Sequence, residues 1–135
     1  SCDNAVVLTC GDTKVGEELN DADVVQLGNM STCNGQAIYS DDGGHNQRFY
    51  QVQPNCDGEY TITVDTNGFY DFHVLETSCS EDAFCAATTT LFGGPESIKL
   101  STKDYPSVWA GVMSLYDSPA ASVGPFAVSV TCDCD

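Results

Sequence analysis

The chain has 135 residues, with 20 acidic side chains against 4 basic ones (Lys14, Arg48, Lys99 and Lys103) and a net charge of -16. A surface of that sign repels nucleic-acid phosphates and anionic lipid, so neither is an expected partner. No apolar run approaches the roughly 20 residues of a membrane-spanning helix. Apolar content of 41% and the length fit one folded domain over 1–135.

The order of elements starts with "SCDNAVVLTC", where a strand is expected at 5–9. Ala5, Val6, Val7 and Leu8 make it apolar on both faces, unusual for a strand covered on one side. The polar stretch "GDTKVGEELNDAD", 11–23, reads as a linker. Helical periodicity is nearly absent; Glu17–Gln26 and Ser80–Ala87 offer at most a short turn each. Period-two alternation bounded by Gly, Pro, Asn and Asp places strands at 24–28, 36–39 and 48–53.

The clearest strand is "EYTITVD", with Tyr60, Ile62 and Val64 on one side and Thr61, Thr63 and Asp65 on the other. The turn "DTNG" at 65–68 then leads to "FYDFHVLE", and an Asn-Gly turn between strands predicts a hairpin. Here Tyr70, Phe72 and Val74 share a face, so His73 is expected on the opposite one, as a surface or inter-strand residue. Further strands are expected at 88–92, 97–100, 107–116 and 125–132. In 107–116, Val108, Ala110 and Val112 face one side and Trp109, Gly111, Met113 and Leu115 the other. A strand apolar on both sides is either central in a doubly covered sheet or turned towards a partner. Short strands at this spacing predict an all-β antiparallel sandwich.

Eight cysteines without a C-x-x-C pair read as disulfides in an oxidising compartment. Ser1, with no initiating methionine and no leader, fits a mature secreted, extracellular protein. Spacing suggests Cys79 with Cys85 and Cys33 with Cys56. The four terminal cysteines pose a problem of reach. Cys2 and Cys10 share a strand face, as do Cys132 and Cys134. Residues 2–10 of straight strand span about 27 Å, whereas the other pair plus two bridges reach about 21 Å. Both bridges therefore cannot join the two pairs within one subunit unless 2–10 curls. The alternatives are Cys2 with Cys10, leaving Cys132 and Cys134 to each other or to outside partners, or one bridge within the chain and one to a neighbour.

No cofactor is expected, with calcium as the one candidate. Asp21-x-Asp23, Asp41-Asp42-Gly43-Gly44 and Asp65-x-Asn67-Gly68 place hard oxygen ligands in loops, although Asp and Gly are also what solvated turns use. Asn29-Met30-Ser31 is the one glycosylation sequon. His45, in "SDDGGHNQ", reads as a solvated turn residue. There is no G-x-S-x-G, H-E-x-x-H or glycine-rich phosphate loop, so catalysis is not expected.

Cys2-x-x-Ala5-x-x-Leu8-x-Cys10-Gly11, "GEYTITVD…FYDFHVLETSCSEDAFC" and "GPFAVSVTC" at 124–132 resemble the bacterial pre-peptidase C-terminal domain family in its cysteine-rich secreted form. The resemblance implies a jelly-roll-like β-sandwich and a non-catalytic module, usually appended to a secreted enzyme. The chain is expected to stand without an attached enzyme, and Cys134 departs from the family pattern. The expectation is a secreted structural subunit that self-assembles into an extracellular fibre or surface layer. Residues 1–10 would act as a donor strand for the next copy, locked by terminal disulfides. The alternative is a calcium- or carbohydrate-binding accessory module of a secreted hydrolase.

Overall fold

The computed structural model describes residues 5–19, 32–33, 36–37, 47–76, 84–114 and 124–134. These form strands β1 (Val6–Leu8), β2 (Thr13–Glu17), β3 (Thr32–Cys33), β4 (Gln36–Ala37), β5 (Gln47–Val52), β6 (Gly58–Thr66), β7 (Phe69–Leu75), β8 (Cys85–Phe92), β9 (Glu96–Ser101), β10 (Val108–Ser114) and β11 (Phe126–Cys134). Five strands in the order β1-β5-β10-β7-β8 and four in the order β2-β11-β6-β9 make the two sheets of a sandwich; β3 and β4 pair separately. The all-β sandwich expected from the alternation is the fold. The strands expected at 24–28 lie outside the described residues.

The four-stranded sheet follows the simplest rule. In β6, Tyr60, Ile62, Val64 and Thr66 are buried while Glu59 and Asp65 are exposed. Phe126, Val128 and Val130 of β11 and Ile98 and Leu100 of β9 bury the same face. The five-stranded sheet is different. Every residue from Tyr70 to Leu75 in β7, and from Ala110 to Met113 in β10, is buried, so this sheet is covered on both faces. Val108–Ser114, the described part of the doubly apolar segment, is thus a central strand of a sheet covered on both faces.

The same covering overturns the surface placement of His73, which is 0% exposed. On that outer face the rings of Phe49 and His73 meet edge to face, with centroids 5.7 Å apart. They come from β5 and β7, and Gly111 of β10 is opposite both. A methyl added at Gly111 would lie 2.6 Å from Phe49 Cε1 and 2.7 Å from His73 Nε2. Only glycine lets the two rings close over the strand between them. Gly111→Ala is expected to destabilise the fold by about 1–3 kcal/mol through overpacking. Urea unfolding should show a lower midpoint at unchanged slope.

The expected hairpin at "DTNG" is not one: β6 and β7 belong to opposite sheets. Side by side, their core faces would have left Tyr60, Ile62 and Val64 in the same layer as Tyr70, Phe72 and Val74. In facing sheets the two sets pack against each other in one core. The turn is fixed as a crossover by Thr66, 5% exposed. Its hydroxyl donates to the Pro125 carbonyl at 3.2 Å and accepts from the Gly68 N–H at 3.0 Å. Gly94 N–H donates to the Thr66 carbonyl at 2.5 Å.

The linker reading of 11–23 also needs correction, because Thr13–Glu17 form β2 at the edge of the four-stranded sheet. Its side chains are mostly exposed and lack alternation, so hydropathy could not reveal it. Backbone pairing to β11 holds it instead, with a register shift where Gly16 takes φ 67. Glu17 then joins the sheets. It accepts from the Tyr50 hydroxyl at 2.9 Å and lies 3.7 Å from Arg48 Nε. The short turn suggested at Ser80–Ala87 likewise yields, since Cys85, Ala86 and Ala87 open β8.

Candidate functional site

The chemistry-bearing groups gather where the N-terminal strand meets the end of β11. β1 lies on the edge of the five-stranded sheet and runs parallel to β5, with Val6 opposite Tyr50 and Leu8 opposite Val52. This is the one parallel pairing among the described strands; the others are antiparallel. Leu8 is 1% exposed and enters the core, whereas Val7 is 49% exposed on the outer face. Leu8 in the core, Val6 half-buried against it and a few backbone hydrogen bonds, including Gln53 N–H to the Leu8 carbonyl at 2.9 Å, seat this strand.

Residues 9–12 then carry the chain from one sheet to the other. Thr9 N–H donates to Asp12 Oδ2 at 2.8 Å, and Asp12 N–H returns to the Thr9 carbonyl at 3.0 Å. Gly11 at φ 88 makes the left-handed corner this turn requires, and its N–H reaches the Val130 carbonyl. The turn lays Cys10 against β11. There the alternation that buries Phe126, Val128 and Val130 continues into Cys132 and Cys134, just beyond the closed core.

Cys10 is bridged to Cys132, with Cα atoms 5.5 Å apart, and Cys56 to Cys134, at 5.7 Å. The second bridge follows from register: Cys134 pairs opposite Gly58, two residues beyond Cys56. Both bridges lie within one chain. They replace the expected Cys33–Cys56 pair, exclude Cys2–Cys10, and leave no bridge to a neighbour at Cys132 or Cys134. The reach argument holds in one respect, because Cys10 alone of the N-terminal pair takes a C-terminal cysteine. Cys85 is also disulfide-bonded; Cys79 and Cys2 lie outside the described residues.

The two bridges touch. Cys10 Sγ and Cys56 Sγ are 3.8 Å apart, and the sulfurs of Cys10, Cys56 and Cys132 all lie within 4.8 Å of one another. Cys134 is exposed and the other three are half-buried. Cys56 also lines an open cleft of about 340 Å³ with Pro54, Asn55, Asp57, Thr102 and Pro106. A small molecule can therefore approach the cluster from solvent. Sequence reasoning missed this contact because Cys56 stands far from both termini along the chain.

The other candidates do not converge. Asp21, Asp23, Asp41, Asp42, Asn29 and His45 lie outside the described residues. Asp65 is exposed, and the Thr66 and Gly68 bonds above account for its turn. Among the described residues no group of three carboxylates gathers at metal-ligand distance. His73 is fully buried, and neither ring nitrogen has a hydrogen-bond partner among the described residues. Burial pushes its pKa down to about 4. No protein-family model matches the chain, and no curated protein matches it.

Proposed function

We propose that this protein is a non-catalytic structural subunit, secreted and built to self-assemble by exchange of its N-terminal strand. The observation that carries this reading is β1. It is a 3-residue strand, parallel to its neighbour and at a sheet edge, with one side chain in the core. Its place is against β5, whose Tyr50 and Val52 are completely buried. The equivalent strand of another copy would fill the same groove with the same hydrogen bonds.

The bridge at Cys10 moves the hinge of such an exchange. With Cys10 fastened to Cys132, residues 11–17 stay with their own sheet, and only residues 1–9 can swing. The pivot falls at Thr9. A pull on the arm then passes through a covalent bond into β11, which is hydrogen-bonded over its whole length to β6. That load path suits a fibre.

A variant lacking residues 1–9 but keeping Cys10 tests the reading. It is expected to fold yet remain monomeric by light scattering, and to bind a synthetic peptide of residues 1–9. Polymerisation of that variant at the full-length rate would overturn the proposal. The charge sets the conditions. At a net charge of -16, assembly should strengthen as sodium chloride rises, because screening weakens repulsion between copies. Sedimentation across a salt series checks this, and assembly that weakens with salt would contradict it.

A further inference from the structure

We infer that the two touching bridges form a disulfide-exchange relay, through which copies of this chain are joined covalently without net oxidation. The entry point is Cys134, exposed at the end of β11. An incoming thiolate attacks Cys134 Sγ, forms a mixed disulfide there and releases Cys56 as a thiolate. That thiolate is 3.8 Å from Cys10 Sγ, one sulfur of the second bridge. It attacks Cys10, forms a Cys10–Cys56 bond and releases Cys132 as a thiolate. Each step breaks one S–S bond and makes one. One thiolate enters and one leaves, so neither oxidant nor reductant is consumed.

The geometry sets one requirement. Because Cys56 Sγ is also within 4.8 Å of Cys132 Sγ, it sits beside the Cys10–Cys132 bond and not on its extension. In-line displacement requires Cys56 to rotate after release. It stands outside the strands, between β5 and β6, lining the open cleft, and among the described residues its sulfur is bonded to Cys134 alone.

The released Cys132 thiolate is itself an attacking group. On the reading of the chain as a self-assembling subunit, it attacks Cys134 of the next copy and repeats the sequence there. The product is a series of copies linked Cys132 to Cys134, each with an internal Cys10–Cys56 bridge. A trace of small thiol suffices to start it. Asp57 and Asp133, exposed beside the bridge, repel incoming thiolates, so exchange should quicken as salt screens them.

The test separates the relay from the assembly. Full-length protein at low concentration is treated with sub-stoichiometric reduced glutathione, then alkylated and mapped without reduction. The expected peptides are Cys10 joined to Cys56, glutathione on Cys134 and alkylated Cys132, in most of the glutathionylated copies. Alkylated Cys56 with Cys10–Cys132 intact would overturn the relay. The variant with Cys10→Ala and Cys132→Ala should give that alkylated Cys56, because its relay has no second bridge. At high concentration the full-length protein should give a ladder on non-reducing gels with Cys132–Cys134 cross-links. The internal isomer without a ladder would uphold the relay and overturn the covalent joining of copies through it. A ladder without Cys10–Cys56 would overturn the relay alone.

Discussion

Replacing both Cys10 and Cys132 by alanine is expected to cost about 4 kcal/mol and lower Tm by on the order of 15 °C. The estimate comes from the loop each bridge closes. Cys10 and Cys132 are 122 residues apart, but while Cys56–Cys134 persists their bond closes a much shorter loop. That loop is the 46 residues from Cys10 to Cys56 plus the step from Cys134 to Cys132. The same loop governs the reciprocal variant at Cys56 and Cys134, so the two variants should be equally destabilised. Removing all four cysteines frees the 122-residue loop as well, and the combined cost of about 9 kcal/mol falls inside the whole stability of an ordinary domain. That variant should show no cooperative transition. Calorimetry of the three proteins checks the series. Losses below about 1 kcal/mol would show that the ends are held by packing and not by the bridges.

Residues whose environment follows from alternation were legible in the sequence. Tyr60, Ile62 and Val64, placed on one side by the alternation, share the buried face, and within the strand expected at 125–132 Phe126, Val128 and Val130 are buried. What failed was any question that two separate strands decide together. "DTNG" has the composition of a hairpin turn, yet β6 pairs with β11 and β9 and not with β7. The choice was made by two long apolar faces needing to oppose each other, not by the turn. β2 was invisible because its side chains are mostly exposed and show no alternation, and backbone pairing to β11 defines it. His73 was misplaced because a period of two says which face a residue takes but not whether that face is covered. The doubly apolar β10 held that information already: one strand buried on both sides implies a covered sheet, and His73 lies in that sheet beside Gly111. For the cysteines, reach alone excluded joining both terminal pairs within a straight-stranded subunit. Naming Cys56 as the other partner required the register of β11 on β6.

His73 should make the protein lose stability in weak acid, as pH falls from 6.5 towards 4. Its ring is completely buried, and burial disfavours the charged imidazolium. In the unfolded chain the pKa is near 6.5; in the fold it is lowered to about 4. The folded state therefore binds the proton less readily than the unfolded state. Above pH 6.5 the ring is neutral in both states and the group costs nothing through ionisation. As pH falls from 6.5 towards 4, protons stabilise the unfolded chain first, at about 1.4 kcal/mol per pH unit. The total loss is about 3 kcal/mol, and below pH 4 this group adds no more. Asp71 shares the strand face two residues away, Thr88 pairs opposite on β8, and Gly111 pairs opposite on β10 with Phe49 beyond it. His73→Leu removes the titrating group while keeping an apolar side chain against Phe49. Urea unfolding at pH 7, 6, 5 and 4.5 should show the parent losing stability across this range and the variant staying nearly flat. Parallel slopes in the two proteins would place the acid sensitivity elsewhere.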